Sequence, residues 1–283
     1  MKVVATIAEF RAERARFGDL GFAPTMGYLH EGHISLMKRA KEECGAAAAS
    51  IFVNPTQFGP NEDLSRYPRD LPRDLSLLEA AGVDLVFTPE PIEMYPEGFD
   101  TSITVGGVSE GLEGGSRPGH FNGVATVVAK LLNIVQPTRA YFGQKDAQQA
   151  AVIRKLALDL SIPSEIVICP TVREPDGLAM SSRNVYLSLA DRQSARVLFR
   201  ALTLARILVE RGERKAEAVR EAMRRTIGEE PSAEVDYVSL ADNLTLKEVE
   251  DRLSGEVLAS MAVRFGKTRL IDNLVINVPK GRK

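Results

Sequence analysis

Leu20-Gly21-Phe22-Ala23-Pro24 is followed by Thr25-Met26-Gly27-Tyr28-Leu29-His30-Glu31-Gly32-His33, then by residues 34–44 and by Ser50-Ile51-Phe52-Val53. The run reads as a short apolar strand, a glycine-bearing loop, an amphipathic helix and a second apolar strand. A strand, helix and strand in that order build a parallel pair with a crossover helix. Further along, 85–88, 140–143 and 166–169 read as strands, and 71–81, 121–136 and 146–160 as helices with apolar residues three and four apart. Short strands that are apolar throughout fit a sheet covered on both faces. The first two-thirds of the chain therefore predicts a doubly wound parallel α/β sheet.

In such sheets ligands bind beyond the carboxyl ends of the strands, and the unusual residues fall in those loops. His30 and His33 follow the first strand, Asn54 to Gln57 the second, Gln144-Lys145-Asp146 the fourth, and 171–183 the fifth. The chain has three histidines, all beside glycines in stretches that read as loops. Two of them crown a helix start, where unpaired N–H groups and the helix dipole attract anions, phosphate above all. Zinc would require histidines four apart with a glutamate between them on one helical face; here they are three apart across Gly32. A purely structural turn is the plainer alternative.

The stretch 177–183, Gly177-Leu178-Ala179-Met180-Ser181-Ser182-Arg183, follows Pro170 and Pro175 and reads as an irregular junction. Two hydroxyls, their N–H groups and a guanidinium suit phosphate oxygens. After Arg183 the texture changes. Ser188 to Asp191 starts a helix running to about 210, a second spans 215–227 with Gly228 placed to close it, and 235–240, 256–263 and 274–278 read as strands of alternating exposure. This second region is a small α+β domain.

With 283 residues, 44% hydrophobic and 26% charged, and a formal net charge of −2, the chain reads as an ordinary globular protein. The near-neutral balance argues against nucleic acid as a partner. Residues 211–225 are arginine-rich, but Glu213, Glu217 and Glu221 are interleaved, which reads as a solvated helix face. No apolar run is long enough for a membrane span. Cys44 and Cys169 have no metal-ligand spacing and no secretory-type segment precedes them, so reduced, buried thiols in a cytoplasmic protein are expected.

Five segments in order, 24–33, 50–58, 114–123, 143–146 and 176–184, together resemble the pantoate–β-alanine ligases, and the likeness runs from about residue 1 to 280. The resemblance implies a Rossmann-like ATP- and pantoate-binding domain at 1–183 and a small α+β lid domain at 184–283. It implies an ATP-dependent ligase that joins pantoate to β-alanine through pantoyl-adenylate and releases AMP and pyrophosphate, with Mg²⁺, as a homodimer. Carried over by position, Met26, Gly27, Tyr28, Leu29, His30, Glu31, Gly32 and His33 line the ATP site, with His33 and His30 in catalytic roles. Gly143, Gln144, Lys145, Asp146, Val172, Met180, Ser181, Ser182 and Arg183 complete it; Lys145, Ser181, Ser182 and Arg183 take the phosphates and Asp146 the ribose side. Gln57, Gln149, Asn54 and Arg117 match substrate positions, with His120 beside Arg117. Asp74 matches an acidic metal position, but Arg73 stands where a second carboxylate is common.

Two other readings share these residues. A nucleotidyltransferase that stops at the adenylated product would leave Gln57 and Gln149 without an acid to hold. A nucleotide-binding or RNA-associated module would need more positive charge than the chain carries.

Overall fold

In the computed structural model, which describes residues 1–60 and 62–279, the chain forms two compact units. One comprises Met1–Gln144 and Gln148–Pro170; the other comprises Lys145–Ala147 with the chain from Thr171 onward.

The first unit is a six-stranded sheet of β1 (Lys2–Val4), β2 (Gly21–Thr25), β3 (Ala47–Ile51), β4 (Leu85–Phe87), β5 (Arg139–Gly143) and β6 (Glu165–Cys169). The strand order is β1-β4-β3-β2-β5-β6, and all pairings are parallel. The chain winds outward from β2 through β3 and β4, then returns to β5 on the other side of β2. That reversal makes the carboxyl ends of β2 and β5 a topological switch point, where doubly wound sheets bind ligands. The expected α/β class is the observed one.

Local packing explains the fit. A Cβ at Gly21 would lie 2.7 Å from the Ala40 Cβ, so glycine lets helix Glu31–Cys44 sit tightly on β2. The Ala47-Ala48-Ala49 run is fully buried and fills β3 with small side chains. Alanine has little strand preference, which is why the sequence places this strand at 50–53 while its pairing begins at Ala47. Sequence reading also passes over β1, whose three residues are too few to show a period. It passes over helix Ile7–Arg14 as well, whose capping box pairs Thr6 with Glu9.

The second unit has an antiparallel sheet in the order β7 (Ala233–Asp242), β8 (Glu256–Phe265) and β9 (Thr268–Asn277). Helices Val197–Glu210 and Ala216–Gly228 share its core with Leu240, Met261 and Phe265. Three expectations change here. The single helix to 210 is two, Leu189–Ser194 and Val197–Glu210, because i→i−3 bonds from Arg196 to Gln193 and from Leu198 to Ala195 tighten the chain between them. Gly228 ends its helix without a left-handed cap, because the chain continues right-handed through Glu229. The middle strand does not alternate: β8 is buried from Val257 to Val263.

Arg220 departs from the solvated face expected of 211–225. It is 6% exposed and donates to Glu217, Glu248 and the Val249 carbonyl. Of the cysteines, both are free, Cys169 is buried and Cys44 is half-buried.

Candidate active site

The 26–30 loop leaves β2 through two successive left-handed residues, Gly27 at φ +83° and Tyr28 at φ +50°. A turn of that kind needs an external hold, and Asp74 supplies it. Its Oδ2 accepts the Tyr28 N–H at 2.6 Å and its Oδ1 accepts the Leu29 N–H at 2.7 Å. Thr25 closes the base, its hydroxyl donating to the Ser50 carbonyl at 2.7 Å and accepting from the Gly27 N–H at 3.2 Å. The Arg73 guanidinium lies 5.3 Å from the centre of the Tyr28 ring and covers the outer side.

The turn delivers His30 to the N-cap of helix Glu31–Cys44. The two imidazoles lie against each other with centroids 4.0 Å apart and planes inclined by 35°. The His30 N–H donates to His33 Nδ1 at 3.3 Å. A nitrogen that accepts cannot hold the ring proton, so in neutral His33 the proton sits on Nε2. This tautomer makes Nε2 the donor of the ring, and the first N–H groups of a helix have no carbonyl partner one turn back. The N-terminus of such a helix, with two imidazoles beside it, has the chemistry to receive an anion.

Asp74 does not fit the metal role that the resemblance gave it. It is 1% exposed, and each oxygen is held by a backbone N–H. Burial pushes its carboxyl above the usual range, against the pull of those two donors. No cluster of three or more His, Cys, Asp or Glu that could hold a metal occurs among the described residues.

The loop after β3 is brought to the same place. Gln57, 9% exposed, ends the short turn Pro55–Gln57, and its Nε2 donates to the Met26 sulfur at 2.9 Å. Asn54 supports Gln57 and does not face outward as a ligand. Its Nδ2 donates to Gln57 Oε1 at 3.1 Å and to the Gly123 carbonyl at 3.2 Å, while its Oδ1 accepts from the Tyr95 hydroxyl at 2.7 Å and the Thr56 hydroxyl at 3.0 Å. Arg117 is likewise engaged, forking onto Glu62 at 2.6 and 2.7 Å. Burial pushes the Glu62 carboxyl up, but Arg117 and the Gly59 N–H hold it below the usual range.

Adjacent glutamines on helix Ala147–Asp159 take different parts. Gln148 is buried and locks the 108–113 segment, accepting from the Glu113 N–H at 2.9 Å and donating to the carbonyls of Val108, Glu110 and Gly111. Gln149 is half-buried and makes no side-chain hydrogen bond among the described residues. Sequence reading selects Gln149 and misses Gln148, since only the fold shows which of two neighbours faces a loop.

In the second unit, 172–180 belongs to no helix or strand, as expected of the junction, but it is not shapeless: it folds back on itself through a single isolated bridge. Arg173 and Ala179 form an antiparallel bridge, the Met180 N–H donates to the Val172 carbonyl at 3.0 Å, and Gly177 turns the chain at φ +95°. Pro175 sits in the turn, between the bridged residues Arg173 and Ala179. Arg173 bolts the fold-back down, donating to Asp272 at 2.6 and 2.9 Å with its guanidinium 4.5 Å from the centre of the Phe199 ring. Beyond it, Ser181 caps the turn Ser182–Tyr186 by accepting the Arg183 N–H at 3.2 Å. Lys145 and Asp146 form a 3.7 Å ion pair within the turn Gln144–Asp146, and the Lys145 carbonyl accepts from Asn273 at 2.8 Å. Residues 171–183, placed with the first region on sequence, group with this unit because Arg173 and Leu178 pack into it.

A family model for pantoate-beta-alanine ligase matches residues 2–275. The pantothenate synthetase of Roseiflexus castenholzii is 61% identical over 277 residues, 98% of this chain and 99% of that protein. Among solved structures, pantothenate synthetase from Thermus thermophilus superposes with a TM-score of 0.93 at 50% identity, over 97% of this chain and 99% of that one. The pantoate-beta-alanine ligase from Francisella tularensis, complexed with beta-gamma ATP and beta-alanine, gives 0.79 at 37% identity over 97% of each chain. With a family model matched over nearly the whole length and a relative at 61% identity, the chain belongs to the pantoate–β-alanine ligase family.

Proposed function

We propose that the chain makes pantothenate from pantoate and β-alanine in an ATP-dependent reaction that passes through pantoyl-adenylate and releases pyrophosphate and AMP. The observation that carries this is the 2.9 Å contact between Gln57 and Met26. It joins an anion-binding helix start to an amide able to both donate to and accept from a hydroxy acid.

In the first step an oxygen of the pantoate carboxylate bonds to the α-phosphorus of ATP as the bond to pyrophosphate breaks. His33 Nε2–H and the opening N–H groups of its helix donate to the α-phosphate as negative charge gathers there. Gln57 and Gln149 hold the acid in line. In the second step the neutral β-alanine amine attacks the acyl carbon, the bond to AMP breaks, and the amine proton passes to solvent. Neither step needs an enzyme nucleophile. Burial pushes the Cys169 thiol up, and the Cys44 sulfur lies 3.5 Å from the Tyr141 hydroxyl.

The same reading gives ATP phosphates to Lys145, Ser181, Ser182 and Arg183, the ribose side to Asp146, and further nucleotide contacts to Gly143, Gln144, Val172 and Met180. A divalent cation, when bound, would neutralise charge on the triphosphate, whose oxygens together with water would suit a hard ion that keeps much of its hydration. A homodimer in the cytoplasm completes it, checked by light scattering and cell fractionation.

The test is product analysis. With ATP, pantoate and β-alanine, pantothenate and AMP form in equal amounts; AMP formation that does not depend on pantoate rejects the reading.

A further inference from the structure

Helix His120–Val135 grips the 54–57 turn more tightly than packing alone requires. A Cβ at Gly123 would lie 2.3 Å from the Thr56 carbonyl oxygen and 2.7 Å from Gln57 Cα, so only glycine allows this approach. One turn earlier, His120 Nδ1 lies 2.8 Å from the Gln57 carbonyl oxygen and its Nε2 lies 3.0 Å from Arg117 Nη1. A carbonyl only accepts and a guanidinium only donates. The His120 proton is therefore on Nδ1, and the ring is neutral. Arg117 continues the line onto Glu62 and also reaches the Gln57 carbonyl at 3.5 Å. The ion pair is sheltered, its side chains 19% and 24% exposed.

A carboxylate, a guanidinium, an imidazole and a carbonyl thus polarise one another in sequence, each bond strengthening the next. The last of them fixes the peptide plane after Gln57, and with it the direction in which the Gln57 side chain leaves the backbone. Asn54 and Met26 then fix the amide itself. Four of the five Arg117 N–H donors go to Glu62, His120 and the Gln57 carbonyl, and the one ring N–H of neutral His120 goes to that same carbonyl.

We infer that Glu62, Arg117 and His120 form a relay that positions Gln57 for the hydroxy acid, so that Arg117 governs acid binding through Gln57 and not by touching the acid. The inference rests on the proposed role of Gln57 in holding pantoate. Pre-ordering a polar group removes its ordering cost from binding. Loss of the relay therefore weakens the acid and spares the nucleotide.

The experiment is steady-state kinetics on His120→Ala, His120→Asn, Glu62→Gln and the Glu62→Gln/His120→Ala pair, with thermal melts as the folding control. His120→Ala is expected to raise KM for pantoate about tenfold, the size of one lost hydrogen bond of this kind, with kcat and the KM for ATP within about twofold. Asparagine keeps a donor near the Nδ1 position and restores most of the affinity. The double variant matches His120→Ala alone, because both changes break one line. Glu62→Gln, at the outer end, carries the test if His120→Ala does not fold. A uniform change in every KM, an unmoved pantoate KM, or additive effects in the pair overturns the relay while leaving wild-type catalysis intact. Failure of wild type to bind pantoate by calorimetry overturns the function and the relay together.

Discussion

The 26–33 turn of the first unit and the 172–183 segment of the second both carry donors suited to an anionic ligand, but they are held by opposite means. The first is held through its backbone. Gly27 and Tyr28 adopt left-handed angles and Asp74 accepts two of the turn's N–H groups, leaving the side chains of His30 and His33 outside that support. The second is held through a side chain. The Arg173 fork onto Asp272 joins residues 99 apart in sequence, and the Phe199 ring packs on the guanidinium. In both, the carboxylate at the anchor, Asp74 or Asp272, is buried, and the groups proposed to act on substrate are other residues. A backbone hold tolerates side-chain change within the turn; a side-chain hold concentrates the dependence in one pair.

The most damaging change to this contrast is Asp272→Ala, which leaves the Arg173 guanidinium without its counter-ion. Asp272 is 1% exposed and Arg173 16%. Unfolding free energy of the second unit should fall by about 3–5 kcal/mol, read by denaturant titration; a loss indistinguishable from that of an exposed pair would show that the fold-back is not held there. His33→Ala should leave stability unchanged and lower the adenylation rate by about two to three orders of magnitude, the size typical for one transition-state donor. Single-turnover pyrophosphate release measures it, and a near-wild-type rate removes His33 from the chemistry.

Acid should act on the first unit through His120. Burial, then the Arg117 charge, lower its pKa from 6.5 to about 4, so the folded protein binds fewer protons than the unfolded chain between those values. Stability carried by the neutral ring is complete above about pH 6.5 and is lost as pH falls toward 4, by up to on the order of 3 kcal/mol. His120→Asn should flatten that part of the stability–pH curve. Retention of the full slope would assign it elsewhere.

Asp74→Asn is the mildest change. It keeps one acceptor for the turn and sets an NH₂ against the other N–H, costing about 1–2 kcal/mol. The KM for ATP should rise while the Mg²⁺ concentration for half-maximal activity stays where it was. A raised metal requirement with an unchanged KM for ATP would return Asp74 to the metal.

These two regions also mark what could be read from the sequence. The strand–loop–helix–strand order at 20–53, the glycines beside His30 and His33, and Gln57 just past β3 are local signals, and the structure places them at the carboxyl ends of β2 and β3. Asp74 was legible as a residue but not as a job, because its contacts are with backbone 45 and 46 positions away. Arg173 and Asp272 carry no local signal, nor does the need for glycine at 123, which arises only when the 54–57 turn meets the helix. The prolines mark a stretch without regular structure, but its fold-back through the Arg173–Ala179 bridge carries no local signal. Alternation failed on β8 because a middle strand is covered more completely than its pattern shows.

If the helix start held by Asp74 is where an acid is adenylated, a rapid-quench single turnover of wild type with ATP and pantoate, β-alanine omitted, will show it. One equivalent each of pyrophosphate and enzyme-bound pantoyl-adenylate is expected, formed hundreds of times more slowly in His33→Ala. Pyrophosphate that appears only once β-alanine is added, or equally fast in both proteins, would place the adenylation elsewhere.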